Sequence, residues 1–403
     1  MGKSLNKIAQ ELKDSNKKVQ LIYAFNGTGK TRLSKEFRAL VDPKADSEET
    51  GLESKKILYY NAFTEDLFYW DNDLDNDSEP KLKIQPNVFT HWVFVDQGQE
   101  NNSIDIFQHY TDERLTPHFN ADHTFKDDEG KDVKVSAFSE VTFSYERGNN
   151  DSSNNIKISK GEESCFIWSV FYSLLEQVTE VLNIDKDSIY QERETDKFDN
   201  LKYVFIDDPV TSLDENHLIQ IAVDLAKIIK DSKSELKFII TTHNPLFYNV
   251  LSNEFNNKNK QSGYNPNKHF KKYCLTKNED LNYELNNSND SPFSYHLFLL
   301  DEIETAIETE QIYKYHFSFL RNILEKTATF LGYDNWGDLL TPVKGERESY
   351  IKRILNLSSH SKHSAEEIVM ITDGDKRMLK NLVQEISKIY KFNIKQNTHV
   401  KEK

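Results

Sequence analysis

A short glycine loop set between an apolar strand and a helix constrains this chain more than any other sequence feature. The segment Gln20–Thr31 has that order, and Ala24 stands where the first glycine of such a loop is usual. Backbone N–H groups of the loop point at phosphates, and the helix N-terminus adds positive potential. A plain glycine turn is the alternative, but the context favours nucleotide binding. The predicted phosphate-binding residues are Asn26, Gly27, Thr28, Gly29, Lys30 and Thr31.

Two of these residues and a second strand predict the metal chemistry. Thr31 is expected to hold Mg²⁺ through its hydroxyl, and Lys30 is expected to contact the outer phosphates. The segment Leu201–Pro209 brings Asp207 and Asp208 to the end of a buried strand. Asp207 is expected to bind Mg²⁺, and Asp208 to polarise the attacking water. Enzymes of the ABC class more often carry Glu at the second position, so the shorter Asp208 predicts slow hydrolysis.

Three further segments resemble parts of an ABC-type nucleotide site. Ser159-Lys-Gly-Glu162, ahead of an apolar helix, resembles the signature that contacts nucleotide held by a second subunit. Ser212-Leu-Asp214 resembles the dimer-contacting loop, and Thr242-His243 resembles the switch that senses the γ-phosphate. Their order along the chain predicts a homodimer or higher homo-oligomer with nucleotide between subunits. The additional predicted nucleotide-binding residues are Ser159, Gly161, Glu162, Asp207, Asp208, Asp214 and His243.

The alternation of elements predicts an α/β fold. Strands Tyr203–Ile206 and Phe238–Thr242 flank the helix Leu218–Ile229, which is the crossover unit of a parallel sheet. Between residues 100 and 160, short apolar pieces alternate with Asp, Asn and Gly clusters, as in β-hairpins, and Val135–Tyr145 is the clearest strand pair. The candidates for the glutamine-bearing loop of an ABC-type site are Gln85, Gln97 and Gln99.

A change of composition predicts a domain boundary. Residues 251–268 are rich in Asn, Lys, Ser and Gly, and the pattern after them is mostly helical, with amphipathic helices at Tyr295–Glu308 and Ile312–Leu331. We therefore expect an ABC-type P-loop NTPase domain with a mixed sheet at residues 1–265. A mostly α-helical domain is expected at residues 266–403.

The charge distribution limits where nucleic acid can bind. The chain carries 66 acidic and 51 basic residues, and all of the net negative charge lies in residues 1–265, because residues 266–403 hold 20 of each sign. Since acidic surfaces repel nucleic acid, the C-terminal third is the expected place for an RNA or DNA contact. Two distant cysteines, the lack of a long apolar run and the lack of a signal peptide predict a cytoplasmic protein with no membrane partner.

The C-terminal third carries a side-chain set that is suited to cutting RNA without a metal. Arg321 and Glu325 lie four residues apart on one face of a predicted helix, and His360 follows in a polar Ser-Ser-His-Ser loop. Internal cleavage needs a base for the 2′-hydroxyl proton, an acid for the departing 5′-oxygen and a cation on the phosphate. An ordinary surface ion pair is the alternative for Arg321 and Glu325. A second possible arrangement pairs Arg353 with His360.

Nearly the whole chain resembles the PrrC-type bacterial anticodon nucleases. The segments that carry the resemblance are Val19–Ser34, Lys56–Asn72, Ser159–Ser164 and Arg321–Gly332. The family's catalytic Arg, its Glu four residues later and its His in a Ser-His-Ser context fall on Arg321, Glu325 and His360. The resemblance implies an ABC-type NTPase domain joined to a nuclease that cuts the anticodon loop of lysine tRNA 5′ of the wobble base. The ends it implies are a 2′,3′-cyclic phosphate and a 5′-hydroxyl.

The resemblance also implies regulation and partners. Members of this family are silenced by a type Ic DNA restriction–modification complex, are released when a phage disables that complex, and respond to GTP hydrolysis and to dTTP. Mg²⁺ with GTP or ATP is therefore expected at the nucleotide site, and no metal is expected for RNA cleavage. A regulatory ABC-type ATPase that binds DNA or a partner protein and has no nuclease activity is the alternative function.

The family reads the anticodon through a polar segment ahead of the catalytic helix, which here is Asn286–His296. Phe293–His296 matches the family pattern, and Asp290 is the candidate for an expected Asp. A solvated connector is the alternative for this segment. The predicted tRNA contacts are Asp290, Ser294, Tyr295 and His296.

Overall fold

The computed structural model describes most of the chain. The described residues are 2–43, 55–61, 67–71, 80–85, 90, 92–126, 130–147, 152–153, 155–186, 193–209, 213–278, 282–288, 295–358 and 371–392. The chain divides into two compact units, Met1–Phe293 and Ser294–Lys403.

The first unit contains both helices and strands, and the second unit is helical. The strands are β1 (Val19–Tyr23), β2 (Ile57–Tyr60), β3 (Phe68–Asp71), β4 (Lys81–Ile84), β5 (Leu115–Phe119), β6 (His123–Lys126), β7 (Asp132–Val135), β8 (Glu140–Glu146), β9 (Ser152–Ser153), β10 (Tyr203–Asp207), β11 (Lys237–Thr242), β12 (Phe270–Lys277) and β13 (Tyr283–Asn287). The α-helices are α1 (Leu5–Asp14), α2 (Lys30–Val41), α3 (Glu100–Tyr110), α4 (Lys160–Asn183), α5 (Glu215–Asp231), α6 (Pro245–Phe255), α7 (Pro266–His269), α8 (Tyr295–Glu308), α9 (Lys314–Leu331), α10 (Arg347–Ser358) and α11 (Asp373–Ile389). A π-helical turn covers Trp92–Asp96, and a 3₁₀ helix covers Trp336–Leu340.

The main sheet has six strands in the order β13-β12-β1-β11-β10-β2. All neighbouring pairs are parallel except β12 with β13, so the sheet is mixed, as predicted. Strands β1 and β10 are buried along their whole length, which explains why their residues are apolar apart from Gln20 and Asp207. The predicted crossover of β10, α5 and β11 is confirmed, and it sets the ends of β1, β10 and β11 side by side.

A second sheet has the order β3-β4-β8-β5, with β9 added to β8. The predicted strand pair within Val135–Tyr145 is wrong, because β7 pairs with β6 and β8 pairs with β4, β5 and β9. The physical reason lies in burial. Val141 and Phe143 of β8 are fully buried in the core, whereas β7 has exposed and half-buried side chains and forms a separate two-stranded ribbon.

Helix α4 is the central helix of the first unit. It is long and apolar enough to cross a membrane, but 78% of its most apolar window is buried inside the fold, which accounts for its composition. The helix begins with a capping box, in which the Ser159 hydroxyl accepts from the Glu162 N–H and the Glu162 carboxylate accepts from the Ser159 N–H. Such a reciprocal cap fixes the start of the helix.

The division between the units lies after Phe293, whereas the sequence placed a domain boundary between residues 265 and 266. The reason is that β12 pairs with β1 and β13 pairs with β12. Residues 270–277 and 283–287 therefore complete the main sheet of the first unit. The Asn- and Lys-rich stretch at 251–268 connects α6 to β12 within that unit instead of separating two domains.

The second unit is built from α8 to α11 and the 3₁₀ helix around its own apolar core, which confirms the expected helical character. Its fully or nearly fully buried side chains include Ile303, Phe317, Leu324, Leu340 and Leu379. Helices α9 and α10 contact each other, and so do α8 and α9. This packing leaves one face of α9 partly exposed to solvent, and that face carries Arg321 and Glu325.

Candidate functional site

The loop between β1 and α2 wraps around the ammonium group of Lys30. Gly27 and Gly29 have φ values of 80° and 99°, a region that side-chain-bearing residues rarely adopt. Lys30 is only 7% exposed. Its Nζ atom donates to the carbonyl oxygens of Ala24 and Phe25 at 3.2 and 3.3 Å and to Oδ1 of Asn26 at 3.1 Å. The predicted loop is thus formed, and its cation lies at the centre.

Asp207 ends β10 as a deeply buried carboxylate, with 1% of the residue exposed. The Thr241 hydroxyl donates to its Oδ1 at 2.5 Å. Burial raises the pKa of Asp207 above its ordinary value, against the lowering effect of hydrogen bonds from Thr241 and Thr31. The contact between Thr31 and Asp207 brings two oxygen ligands of the kind that Mg²⁺ prefers beside the phosphate-binding loop. These residues therefore fit a magnesium–nucleotide complex.

Asp208 links the loop to the end of the next strand. It has a φ of 55°, in the left-handed region that costs energy for a residue with a side chain. Its Oδ2 atom lies 3.4 Å from Nζ of Lys30 and 2.5 Å from Nδ1 of His243. Burial alone would raise the pKa of Asp208, but the hydrogen bond from His243 and the charge of Lys30 hold that pKa below its ordinary value.

The register of the sheet explains how these residues meet. Asp207 faces Thr241 across the parallel pair of β10 and β11. The following residues, Asp208 and His243, therefore leave the two strands at the same edge, beside the loop that follows β1. The structure thus brings together the predicted loop, the two carboxylates and the predicted switch histidine.

The signature and the dimer-loop residues lie at helix starts. Ser159 and Glu162 form the cap of α4, and Gly161 lies in its first turn. Asp214 caps α5 by accepting from the N–H groups of Asn216 and His217 at 3.0 and 3.1 Å. These contacts explain how the local structure forms, and the proposed role of both segments toward a second subunit stays a prediction. Ser212 lies outside the described residues.

The three glutamine candidates remain open. Gln85 follows β4, while Gln97 and Gln99 precede α3. The Gln99 side chain donates to the Gln97 carbonyl at 3.2 Å and accepts from Asn102 at 3.0 Å.

In the second unit, Arg321 and Glu325 form the pair that their spacing predicts. Nε of Arg321 donates to Oε1 of Glu325 at 2.8 Å, and the two side chains are 34% and 46% exposed. The Nη1 atom of Arg321 also donates to the hydroxyl of Ser358 at 3.4 Å. Ser358 is the last residue of α10, and no local pattern predicts this contact because 37 positions separate the two residues.

The remaining predicted nuclease and tRNA-contact residues are only partly described. His360, Asp290 and Ser294 lie outside the described residues, and Tyr295 is described only as the first residue of α8. His296 is half-buried. Burial lowers its pKa, against a hydrogen bond with Asn322 that raises it, and the charge of Lys326 lowers it further.

Asn322 and Lys326 therefore link the predicted recognition segment to the helix that bears the predicted catalytic pair. On α9, Asn322 directly follows Arg321 and Lys326 directly follows Glu325. Sequence reasoning did not single out either residue. Their spacing of four, on the stripe next to Arg321 and Glu325, is the signal that could have found them.

Arg353 has a structural partner. Its Nε and Nη2 atoms donate to the two carboxylate oxygens of Asp375 at 2.5 and 2.6 Å. Asp375 is 5% exposed, and its carboxylate also accepts from the N–H and hydroxyl of Thr372 at the start of α11. This bidentate pair connects α10 to α11. It also engages the guanidinium group that the alternative arrangement of Arg353 with His360 would need for cleavage.

Comparison with known proteins gave one family, one curated relative and several solved structures. A family profile described as an AAA domain matches residues 137–391. The anticodon nuclease of Escherichia coli is 49% identical over 417 aligned positions, which cover 96% of this chain and 96% of that protein. An Smc head bound to the C-terminal winged-helix domain of ScpA covers 68% of this chain and 91% of that one at 10% identity, with a TM-score of 0.32. An Smc head from Pyrococcus furiosus, with an extended coiled coil and bound to the C-terminal domain of ScpA, covers 54% of this chain and 38% of that one at 11% identity, with a TM-score of 0.26.

Proposed function

This chain belongs to the anticodon nuclease family and carries an AAA domain, and from that premise we propose that it is a nucleotide-regulated endoribonuclease that cuts the anticodon loop of tRNA. The substrate we propose is lysine tRNA, cut 5′ of the wobble base. The observation that carries the proposal is the half-exposed pair of Arg321 and Glu325, held beside Ser358 at the end of α10.

The contact with Ser358 supports a catalytic role for His360. His360 follows Ser358 by two residues in the sequence, and two residues of chain span at most about 7 Å. Ser358 lies within hydrogen-bonding distance of the Arg321 guanidinium. A histidine two residues from Ser358 is close enough along the chain to join Arg321 and Glu325 in one catalytic set. A simple surface ion pair would need no such third residue.

The chemistry follows from the three side chains. One of Glu325 and His360 takes the proton from the 2′-hydroxyl, and that oxygen attacks the adjacent phosphorus. The other gives a proton to the departing 5′-oxygen, while Arg321 neutralises the charge that develops on the phosphate. The products are a 2′,3′-cyclic phosphate and a 5′-hydroxyl, and the reaction as written consumes no water and needs no metal.

The nucleotide site is proposed as the controller of this reaction. Lys30 and His243 both contact Asp208, so a γ-phosphate that draws Lys30 toward itself would change the contacts of the Asp208 carboxylate. A nucleotide can shift a conformational equilibrium only if it binds the two states unequally. Mg²⁺ with GTP or ATP, and dTTP as a second effector, are the proposed ligands, held between subunits of a homodimer or higher homo-oligomer.

The proposed cellular role is antiphage defence in the cytoplasm. A type Ic restriction–modification complex is the proposed silencer, and tRNA cleavage after loss of that complex would end the infection. This role rests on the family resemblance.

The test is cleavage of lysine tRNA by the purified full-length protein with Mg²⁺ and each nucleotide in turn. The proposal predicts one cut in the anticodon loop, with 5′-hydroxyl ends, and no cut in a tRNA that carries a single 2′-deoxy substitution at the nucleotide 5′ of that bond. Arg321→Ala, Glu325→Ala and His360→Ala are expected to lose cleavage while retaining nucleotide binding. Matched controls are Arg377→Ala and Glu348→Ala, which alter exposed residues of α11 and α10. Intact tRNA with every nucleotide would favour the regulatory ATPase instead.

A further inference from the structure

A basic pocket lies at the edge of the main sheet opposite the nucleotide loop. Its volume is about 290 Å³. Among the side chains that line it, Glu235 is the carboxylate, and the basic side chains are Lys18, Lys230, Lys233, Lys237, Lys268 and His269. The excess of positive charge stands out because the chain as a whole has a formal charge of −15, and because four of the lysines belong to residues 1–265, which were expected to repel nucleic acid.

The position in the sheet separates this pocket from the site already described. Lys18 precedes β1 and Lys237 begins β11, so both lie at the amino ends of parallel strands. The nucleotide loop follows the carboxyl end of β1. A strand of five residues spans about 16 Å, which puts the two sites on opposite edges of one sheet.

Three of the lysines already have partners. Lys18 donates to the carbonyl oxygens of Ser232 and Ser234. Lys237 donates to the carbonyl of Ser15 at 3.0 Å, and Lys230 donates to the carboxylate of Glu254 at 2.8 Å. These contacts fix the walls of the pocket and keep their charges in place. Burial lowers the pKa of Lys18 to about 8, against the charge of Glu235, which raises it.

Several donors in this pocket have no partner. Within the described part of the chain, the ammonium groups of Lys233 and Lys268 have neither a hydrogen bond nor an ion pair. Nδ1 of His269 accepts from the N–H of Asn265 at 3.0 Å, so in the neutral ring the hydrogen is on Nε2. The hydroxyl oxygen of Ser262, which also lines the pocket, is buried with no hydrogen-bond partner. A ligand here must therefore supply several acceptor atoms.

We propose that this pocket binds a phosphate group. A phosphate offers several acceptor oxygens and negative charge in a compact shape, which matches two free ammonium groups, an imidazole N–H and an unused hydroxyl. A buried hydroxyl without a partner is unfavourable, so a ligand that satisfies it gains affinity. The phosphate comes either from the backbone of an RNA or from a free phosphate compound. The proposal does not depend on the nuclease function.

The test is protection of lysines from acetylation in the full-length protein, read residue by residue by peptide mass spectrometry. This readout separates the pocket from the nucleotide loop. The probes are pyrophosphate and a 2′-O-methyl RNA stem–loop, which cannot be cleaved through its 2′-oxygens. Lys233 and Lys268 are expected to react at least several-fold more slowly with one probe, while exposed Lys7 of α1 is unchanged. Protection by RNA alone assigns a backbone phosphate, and protection by pyrophosphate assigns a free phosphate compound.

Charge reversal gives the second readout. The Lys233→Glu and Lys268→Glu double variant is expected to bind the protecting probe with at least tenfold lower affinity than the unaltered protein. For RNA, the slope of the logarithm of the binding constant against the logarithm of the salt concentration should also become shallower by about one to two, one for each lost phosphate contact. Lys7→Glu is the control and should remain within twofold of the unaltered protein. No protection by either probe, or equal protection by a polyglutamate peptide, overturns the proposal.

Discussion

The Nδ1 atom of His243 lies 2.5 Å from the Oδ2 atom of Asp208, although 35 positions separate the two residues. The same carboxylate lies 3.4 Å from the ammonium group of Lys30. Asp208 is therefore held between Lys30, the predicted phosphate-binding residue, and His243, which follows β11. If Lys30 moves toward a bound phosphate, its contact with the Asp208 carboxylate changes, and His243 contacts the same carboxylate. The site therefore has a physical route by which His243 can respond to the bound nucleotide.

Replacing Asp208 tests its role in hydrolysis. Asp208→Asn removes the charge that we propose polarises the attacking water, and we expect GTP or ATP hydrolysis to fall by roughly 100-fold. Asp208→Glu extends the carboxylate, and we expect turnover to rise because Asp reaches less far. Steady-state release of phosphate measures both. An unchanged or lower rate for Asp208→Glu would argue that Asp208 does not limit hydrolysis through its length.

His243 is expected to act after nucleotide binding. His243→Ala removes the side-chain hydrogen bond to Asp208 but leaves the backbone N–H contact, the loop and the oxygens of Asp207 and Thr31 in place. Hydrolysis should fall by at least tenfold, while the dissociation constant for nucleotide, measured by fluorescence with a labelled analogue, changes by less than about threefold. A large loss of affinity with normal turnover of bound nucleotide would assign His243 to binding instead.

Arg353 is expected to stabilise the second unit and not to take part in cleavage. Arg353→Ala breaks two hydrogen bonds to a buried carboxylate and should lower local stability around α11 by about 2 kcal/mol. Hydrogen exchange of the α11 amides measures this loss. Cleavage per folded molecule should be retained in Arg353→Ala and lost in Glu325→Ala. The opposite result would favour the arrangement of Arg353 with His360.

The same ion pair predicts a pH dependence with a definite sign. The hydrogen bonds from Arg353 hold the pKa of Asp375 well below its usual range, against burial, which raises it. A carboxyl group whose pKa is lowered by folding stabilises the fold fully above its unfolded pKa of about 3.9 and loses that contribution as the pH falls toward the folded pKa. The stability difference between the unaltered protein and Asp375→Asn should therefore be constant above about pH 5 and shrink below about pH 4. A difference that grows with acid contradicts this assignment; hydrogen exchange in α11 across the pH range decides.

Local sequence patterns predicted which residues meet at one edge of the main sheet. The Asn26–Thr31 loop, the two carboxylates and His243 each follow an apolar strand, and the parallel register brings strand ends together without further information. The spacing of Arg321 and Glu325 was likewise a local signal. The positive φ of Asp208 had no such local signal, because the contacts around this residue, with Lys30 and His243, come from distant parts of the chain.

Long-range contacts were the part that the sequence could not supply. The composition of residues 251–268 placed a domain boundary just ahead of β12, a strand that mixes polar and apolar residues, with Lys271 and Lys272 near its start. Its pairing with β1 across 251 positions makes it part of the first sheet. The contact of Arg321 with Ser358 and the pair of Arg353 with Asp375 also join distant segments, and only the packing of the helices defines them.

The most direct test of the central claim is mapping of 5′-hydroxyl RNA ends in cells that express this chain alone from an inducible promoter. The account predicts one dominant new end in the anticodon loop of lysine tRNA, 5′ of the wobble base, and loss of that end in Arg321→Ala, Glu325→Ala and His360→Ala. Absence of any new tRNA end, or an end that persists in Glu325→Ala at equal expression, would contradict it.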